Sequence, residues 1–518
     1  MAQLDRVVTL ADIPRLQAAR NPDRTAFVDG GEPLDYATLD RRASQVANGL
    51  LADGTGPQER VAILARNGSA FCEVLLGCLK AGAVALPVNW RLSAPEIGFI
   101  LRHAGVKRLF HAEEFAPAAR AAAEAAGLAW TIALDGPSAE YATWRAAQSE
   151  RDPQRPVSPD DTALQMYTSG TTGLPKGVQL THRGYLVALA LVQRFAWGRL
   201  GPEDVVLAPA PFFHINGVNP VLRTFAAGGC VVAPPQFDAQ AILSLIEQRR
   251  VTRTTLAPAM IQACLEVPDA GTRDLSSLQV ISYGGSPIAE AVLRRATRLF
   301  GCEFVQMYGL TETNGPVTFL QPEDHAEGAA RLLSCGRPAG GVELQVTDGE
   351  GRPVPAGEVG EIRVRTPALM KGYWRDEAAT AEVIEDGWFR TGDAGYLDPQ
   401  GYLHIHDRVK DMIVSGGENI YPAEVENALF GHPAVADVAV IGVPDPKWGE
   451  AVKALVVRRP GATVAEAELI AHARERLAGY KLPKSVSWID AVPRNAAGKI
   501  LRRELREPYW AGAARKVG

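Results

Sequence analysis

The sequence predicts an α/β fold: a large N-terminal domain of helix-covered mixed sheets, extended by a β-rich subdomain and followed by a small C-terminal α/β domain. Three observations carry that expectation. Short β-branched runs alternate with helix-like stretches through roughly the first four hundred residues, as in RVAILAR, FCEVLLGCLKAG and AVALPVNW, the rhythm of βαβ units with largely parallel strands under helices. From about Glu343 the texture turns to short strands and turns, in VELQVTDGEGRPV, GEIRVRTPALMKGYW and WFRTGDAGYLDPQGYLHIHDR, which marks the β-rich part. The charged segment DRVKDM, Asp407 to Met412, then intervenes, and AEVENALF, VADVAVIGV, KALVVRR and AEAELIAHARERL resume the alternation of helix and strand. The expected domains are therefore 1–408 and 409–518.

Size and composition bound the function. At 518 residues, 47% hydrophobic and 22% charged, the chain has an ordinary globular composition and can bury a large core. Its formal net charge of −5 lacks the basic excess that favours a nucleic-acid backbone, so no nucleic-acid partner is expected. The scattered Cys72, Cys78, Cys230, Cys264, Cys302 and Cys335 include no CxxC pair, which argues against a disulfide framework and fits a reducing cytoplasm. Asp5 and Asp12 break the apolar run that an export signal needs. The apolar segment VVLAPAPFFHINGVNPVL, Val205 to Leu222, contains three prolines, His214 and two asparagines. It is expected to be a buried strand followed by a pocket-lining loop, not a transmembrane segment. The charged, proline-rich stretch from Ala146 to Asp161 is expected to be an exposed connector.

That connector runs into YTSGTTGLPKG, Tyr167 to Gly177, which holds four hydroxyl residues besides its tyrosine, three glycines and one lysine. Glycine allows close approach and positive φ, while Ser and Thr add donors, so the composition suits a loop whose N–H groups meet something negative. It also suits a polar turn. The stretch is not a GxxxxGK[ST] loop, because Lys176 follows Pro175 and Gly177 stands where a hydroxyl would be, and it is not GxGxxG.

Four further blocks follow in order: YGLTET (Tyr308 to Thr313), TGD (Thr391 to Asp393), DRVKDMIVSGGENIYPAEVE (Asp407 to Glu426) and PRNAAGKILRRELR (Pro493 to Arg506). With the hydroxyl-rich loop, this set resembles the adenylate-forming superfamily of acyl-CoA synthetases, luciferases and peptide-synthetase adenylation domains. The likeness runs from about Thr25 to Arg506 and is greatest to bacterial fatty-acyl-CoA synthetases. It implies a C-terminal domain that moves, and a two-step ligation of a small-molecule carboxylic acid to coenzyme A with ATP and Mg2+.

The resemblance also implies roles. Thr168, Ser169, Gly170, Thr171, Thr172, Gly173 and Lys176 would hold the phosphates. Thr311 would contact the α-phosphate, Glu312 would hold magnesium as a hard oxygen donor, and Tyr308, followed by Gly309, would lie on adenine. Gly284, Gly285 and Ser286, in SYGGSP, would bring a strand edge close to the base, or simply form a tight strand-to-helix turn. Asp393 would accept both ribose hydroxyls, with Arg408 and Ile405 as further nucleotide contacts and Lys410 at a hinge. Lys499 would bridge the carboxylate and the α-phosphate. A lysine ~4 Å from both anions offsets about 4 kcal/mol at an effective dielectric near 20, roughly three decades in rate. After rotation, Gly416 and Gly417 would replace it at the site, and Trp448, Tyr480 and Lys484 would contact coenzyme A, although Leu482 stands where some relatives carry arginine.

His214 falls where acyl-CoA synthetases place an aromatic or histidine gate beside the reacting carboxylate, and adenylation domains for amino acids carry an aspartate near there instead. The acid pocket is expected to be mostly apolar, walled by Phe213, Val218, Met260, Gly284 and Met307. His404 and His406 share a strand face without further ligands and are read as structural. Nineteen residues follow Lys499, too few for a fused carrier domain, so an acyl-carrier acceptor would be a separate protein. A non-catalytic nucleotide-binding regulator is disfavoured by Lys499 and Glu312 together, and a homodimer is left open.

Overall fold

The computed structural model describes residues 7–168, 175–286, 288–326, 331–408, 411–415, 418–494 and 499–511, among which four sheets form. A nine-stranded sheet has parallel central strands, including Val205–Leu207, Val280–Gly284 and Glu303–Leu310, and antiparallel strands at both edges. A seven-stranded sheet is parallel except at one edge, where Thr162–Thr168 turns back into Lys176–Thr181 and the short Gly372–Tyr373. A five-stranded antiparallel sheet follows, ending at Leu403–Arg408, and a second five-stranded sheet starts at Ile413–Ser415.

The α/β alternation is thus the one the sequence implied, with antiparallel edges where hairpins replace crossovers. Local chemistry sets the helices between strands. Tyr36–Ala52 starts where the Asp35 side chain accepts from Thr38 N, and Ala94–Ala104 starts in a Ser93/Glu96 capping box. Phe27 and Val231 of the nine-stranded sheet and Val61, Ile63 and Leu164 of the seven-stranded sheet share one apolar core with Tyr36–Ala52, which locks the two sheets together, while Ala94–Ala104 packs Ile97, Ile100 and Leu101 into a separate core with Leu64 and Leu86. The last sheet has its own core, with Ile413, Ile420, Val440, Val452 and Leu469 all fully buried.

One expectation changes. The segment after Val205–Leu207 is not a loop throughout: Ile215–Ala227 is a helix with Pro220 inside it. Proline is tolerated there because its missing N–H would have met the Asn216 carbonyl in the first turn, at an exposed residue, while Val218, Val221, Leu222 and Phe225 bury the opposite face. The connector before the hydroxyl-rich loop is also anchored. Asp152 pairs with the fully buried Lys80 at 2.7 Å and with Arg15 at 2.6 Å. Burial opposes the charge, yet these partners hold the Asp152 carboxyl well below the usual range.

Candidate active site

The carboxyl ends of three strands and one loop converge, the usual place for ligands in open α/β sheets. Strand Thr162–Thr168 leads out toward the hydroxyl-rich loop, and Lys176 begins the returning strand directly across from Thr168. Ser169, Gly170, Thr171, Thr172 and Gly173 lie outside the described residues, as do Lys410, Gly416 and Gly417.

The second strand ends at Gly284, paired with Met307. A side chain there would place its Cβ 2.1 Å from the Met307 carbonyl oxygen, and Gly285 has φ +84°, so the backbone geometry alone requires both glycines. Ser286 continues the turn, half-buried.

The third strand, Glu303–Leu310, delivers Tyr308 and then the turn with Thr311 and Glu312, both half-buried. That turn is tied down on several sides: Thr313 Oγ1 donates to Gly315 O, Asn219 Nδ2 to Asn314 O and Asn314 Nδ2 to Ala368 O. The Met370 amide donates to Glu312 O at 2.7 Å. The Glu312 carboxylate accepts from the Tyr373 hydroxyl at 3.1 Å.

Tyr308 joins two of the distant motifs. Its hydroxyl donates to Asp393 Oδ2 at 2.8 Å, and burial together with the Asp393 charge pushes the phenol well above its ordinary value. Asp393 is itself buried, with its amide bonded to Thr391 Oγ1. The strand register sets Arg408 across from Asp393, and Ile405 packs on the same apolar cluster as Tyr308 and Met307. His404 stacks on Tyr396 at 4.7 Å and reaches Asp398, a structural role as expected.

His214 directly precedes the helix Ile215–Ala227, its side chain making no capping hydrogen bond and its ring lying against Phe213. Its Nε2 is buried without a hydrogen-bond partner among the described residues. Burial, with the charges of Arg91 and Lys499 acting in the same direction, lowers its pKa to about 4. Lys499, itself exposed, is therefore within electrostatic reach of His214 although it belongs to the C-terminal segment. Trp448, in the turn between Val435–Asp445 and Gly449–Arg458, and Tyr480, in the turn Gly479–Lys481, are 41% and 43% exposed, and Lys484 is exposed as well.

Of the expected pocket walls, Phe213 and Val218 are buried and Met260 and Met307 half-buried. A surface cavity of about 950 Å³ bordered by Arg253, Val280 and Glu303 lies at the opposite, amino ends of the same strands and is not this site. Sequence reasoning missed Arg91 and Tyr373. Neither has a local signal, since each acquires its charged neighbour only through tertiary pairing.

The AMP-binding enzyme family matches residues 15–374, and its C-terminal domain matches residues 424–499. The chain is 43% identical to a fatty acid–[acyl-carrier-protein] ligase of Streptomyces coeruleorubidus over 98% of each chain. It is 44% identical to a feruloyl-CoA synthase of Amycolatopsis over 96% of this chain and 99% of that one. The ATP-bound MatB structure from Rhodopseudomonas palustris superposes with a TM-score of 0.88 at 32% identity, over 97% and 100% of the two chains. Among the described residues no helix is long and apolar enough to cross a membrane. With these motifs gathered at one set of strand ends, the chain belongs to the AMP-binding, adenylate-forming enzyme family.

Proposed function

We propose that this enzyme is an AMP-forming acid:CoA ligase for an apolar carboxylic acid. In the first step a carboxylate oxygen attacks the α-phosphorus of ATP; the new O–P bond replaces the bond to the bridging oxygen, and pyrophosphate leaves. In the second, the coenzyme A sulfur attacks the acyl carbon; a C–S bond forms, the C–O bond to AMP breaks, and the thiol proton passes to solvent.

The observation that carries this reading is that Lys499 lies within electrostatic reach of His214, with strand ends holding Thr311, Glu312, Tyr308 and Asp393. Two anions must meet there, and a cation facing both lowers the barrier. The orphaned His214 Nε2, in the tautomer that carries its hydrogen there, donates to the acid's carboxylate. Arg91 adds positive potential at the same mouth. Thr168 through Gly173 and Lys176 cradle the phosphates, Thr311 contacts the α-phosphate, Tyr308 and Ile405 flank the base beside Gly284 to Ser286, and Asp393 and Arg408 hold the ribose.

A magnesium ion fits the donors present, because Glu312 offers a half-buried carboxylate oxygen, hydrogen-bonded in place, a hard ligand suited to a phosphate-bound cation. When bound it neutralises phosphate charge; Glu312 would hold it. Domain 409–518 pivots at Lys410 after adenylation, withdrawing Lys499 so that Gly416, Gly417, Trp448, Tyr480 and Lys484 serve coenzyme A.

The experiment is pyrophosphate release across a panel of fatty and aryl carboxylic acids, with and without coenzyme A. Acid-dependent release with coenzyme A-dependent thioester is expected; no turnover with any acid would leave only a nucleotide-binding regulator. Lys499→Ala is expected to slow adenylation about 10³-fold with ATP affinity largely kept, and near-normal adenylation would sink the role given to Lys499. A second reading, transfer to a separate carrier protein, is favoured by the similarity to the fatty acid–[acyl-carrier-protein] ligase. It predicts acid-dependent pyrophosphate with no thioester until a carrier protein is added.

A further inference from the structure

The strand Gly372–Tyr373 is short, yet it stitches two parts of the site together. It pairs with the returning arm of the hydroxyl-rich loop, Gly372 across from Gln179 and Tyr373 across from Val178. On either side, Lys371 N donates to Gln179 O at 2.9 Å and Trp374 N to Gly177 O at 2.7 Å. Trp374 is clamped in turn, its Nε1 donating to His103 O at 3.1 Å and its ring lying 3.3 Å below the Arg60 guanidinium. The backbone on both sides of Tyr373 is therefore held, and the Tyr373 amide is bonded to Thr380 Oγ1.

From that fixed base the buried Tyr373 side chain touches two charged groups at once. Its hydroxyl donates to Glu312 Oε1 at 3.1 Å, and its ring centroid lies 4.9 Å from Lys176 Nζ. The carboxylate has other conformations open to it, and the hydroxyl selects one. Lys176, at the foot of the loop, is drawn onto the ring's negative face. One side chain thus sets the spacing between a carboxylate and an ammonium that must both face a polyphosphate.

We propose that Tyr373 is a positioning residue for metal-bound nucleotide, orienting Glu312 through its hydroxyl and Lys176 through its ring. The inference rests on the role given to Glu312 above. Groups that orient a metal ligand affect metal affinity by about 10- to 100-fold when removed. The two halves of the device separate cleanly, because Tyr373→Phe removes only the hydroxyl and Tyr373→Leu removes the hydroxyl and the ring.

The test is isothermal titration of the full-length protein with α,β-methylene ATP, with and without Mn2+, for the wild type, Tyr373→Phe, Tyr373→Leu and Glu312→Gln. The ratio of affinities with and without metal measures the coupling. Tyr373→Phe is expected to shrink that ratio about 10-fold while metal-free affinity stays unchanged. Tyr373→Leu is expected to lower metal-free affinity as well, by about 3-fold. Half-saturating Mg2+ for acid-dependent pyrophosphate release should rise with the same ordering. If Tyr373→Phe keeps the wild-type ratio while Glu312→Gln loses it, this inference fails alone. If Glu312→Gln also keeps the ratio, the metal role of Glu312 falls and the inference with it. Equal loss of metal-free affinity in both tyrosine variants would mean a structural role only. Should Tyr373→Leu not fold, the Tyr373→Phe ratio decides by itself.

Discussion

At His214, burial decides the protonation state before any substrate arrives. An imidazole held near pKa 4 by burial, with Arg91 and Lys499 close by, is neutral across the range where enzymes of this kind are assayed, so it serves as a hydrogen-bonding group and not as a cation. The same shift has a stability consequence. The folded pKa lies below the ordinary 6.5, so the unfolded chain binds the extra proton as pH falls from about 6.5 toward about 4. Stability is fully present above that window and is lost through it. His214→Gln is expected to lessen the loss between pH 7 and 4.5 by on the order of 2 kcal/mol, read from urea midpoints at the two pH values. An unchanged difference between those midpoints would show that the imidazole titrates normally. Its role in the site is separately visible, as a weaker dependence of pyrophosphate release on acid concentration in the same variant.

At the scale of elements, the site depends on how closely two parallel strands approach. Gly284 sits against the Met307 carbonyl with no space for a methyl, so Gly284→Ala must push the strands Val280–Gly284 and Glu303–Leu310 apart at the end that carries Tyr308. The expected cost is about 1–3 kcal/mol, measured by chemical unfolding, together with a loss of nucleotide affinity. A variant with wild-type stability and affinity would show that the strand ends can part without consequence. The helix Ile215–Ala227 matters at the same scale, since it presents His214 at its N-terminus and Asn219 to the turn that carries Thr311 and Glu312. Its sequence read as a loop because proline and two asparagines are locally unfavourable to helix. Burial of Val218, Val221, Leu222 and Phe225 against the sheets outweighs that preference.

For the whole molecule, the last sheet is held against the rest with Lys499 within electrostatic reach of His214. The described contacts include Gln262 Nε2 donating to Ala436 O at 2.9 Å and Arg459 lying 3.7 Å from Glu266, both polar and on the surface, with Phe430 packed on the core of the larger unit. Such an interface favours relative motion. A bismaleimide bridge between cysteines placed at Gln262 and Ala436 is expected to leave acid-dependent pyrophosphate release in a single turnover while blocking thioester formation. Thioester formed at the unbridged rate would show that the last sheet need not move. Single-cysteine variants treated alike report any effect of the reagent on the native thiols.

The chemistry was legible through the family resemblance that the set of motifs carries in order, whereas the hydroxyl- and glycine-rich loop alone suited a polar turn as well as a phosphate site. The α/β layering followed from periodicity, a local feature of the chain. Sequence also named Tyr308, Asp393, Glu312, His214 and Lys499, through family resemblance and not through any visible partnership among them. Only the tertiary structure decided which of them touch: Tyr308 with Asp393, Glu312 with Tyr373, and Lys499 within reach of His214. Those pairings depend on strand order, on register and on burial between segments far apart in the chain, and no local pattern of residues encodes the energy of a contact made across a sheet.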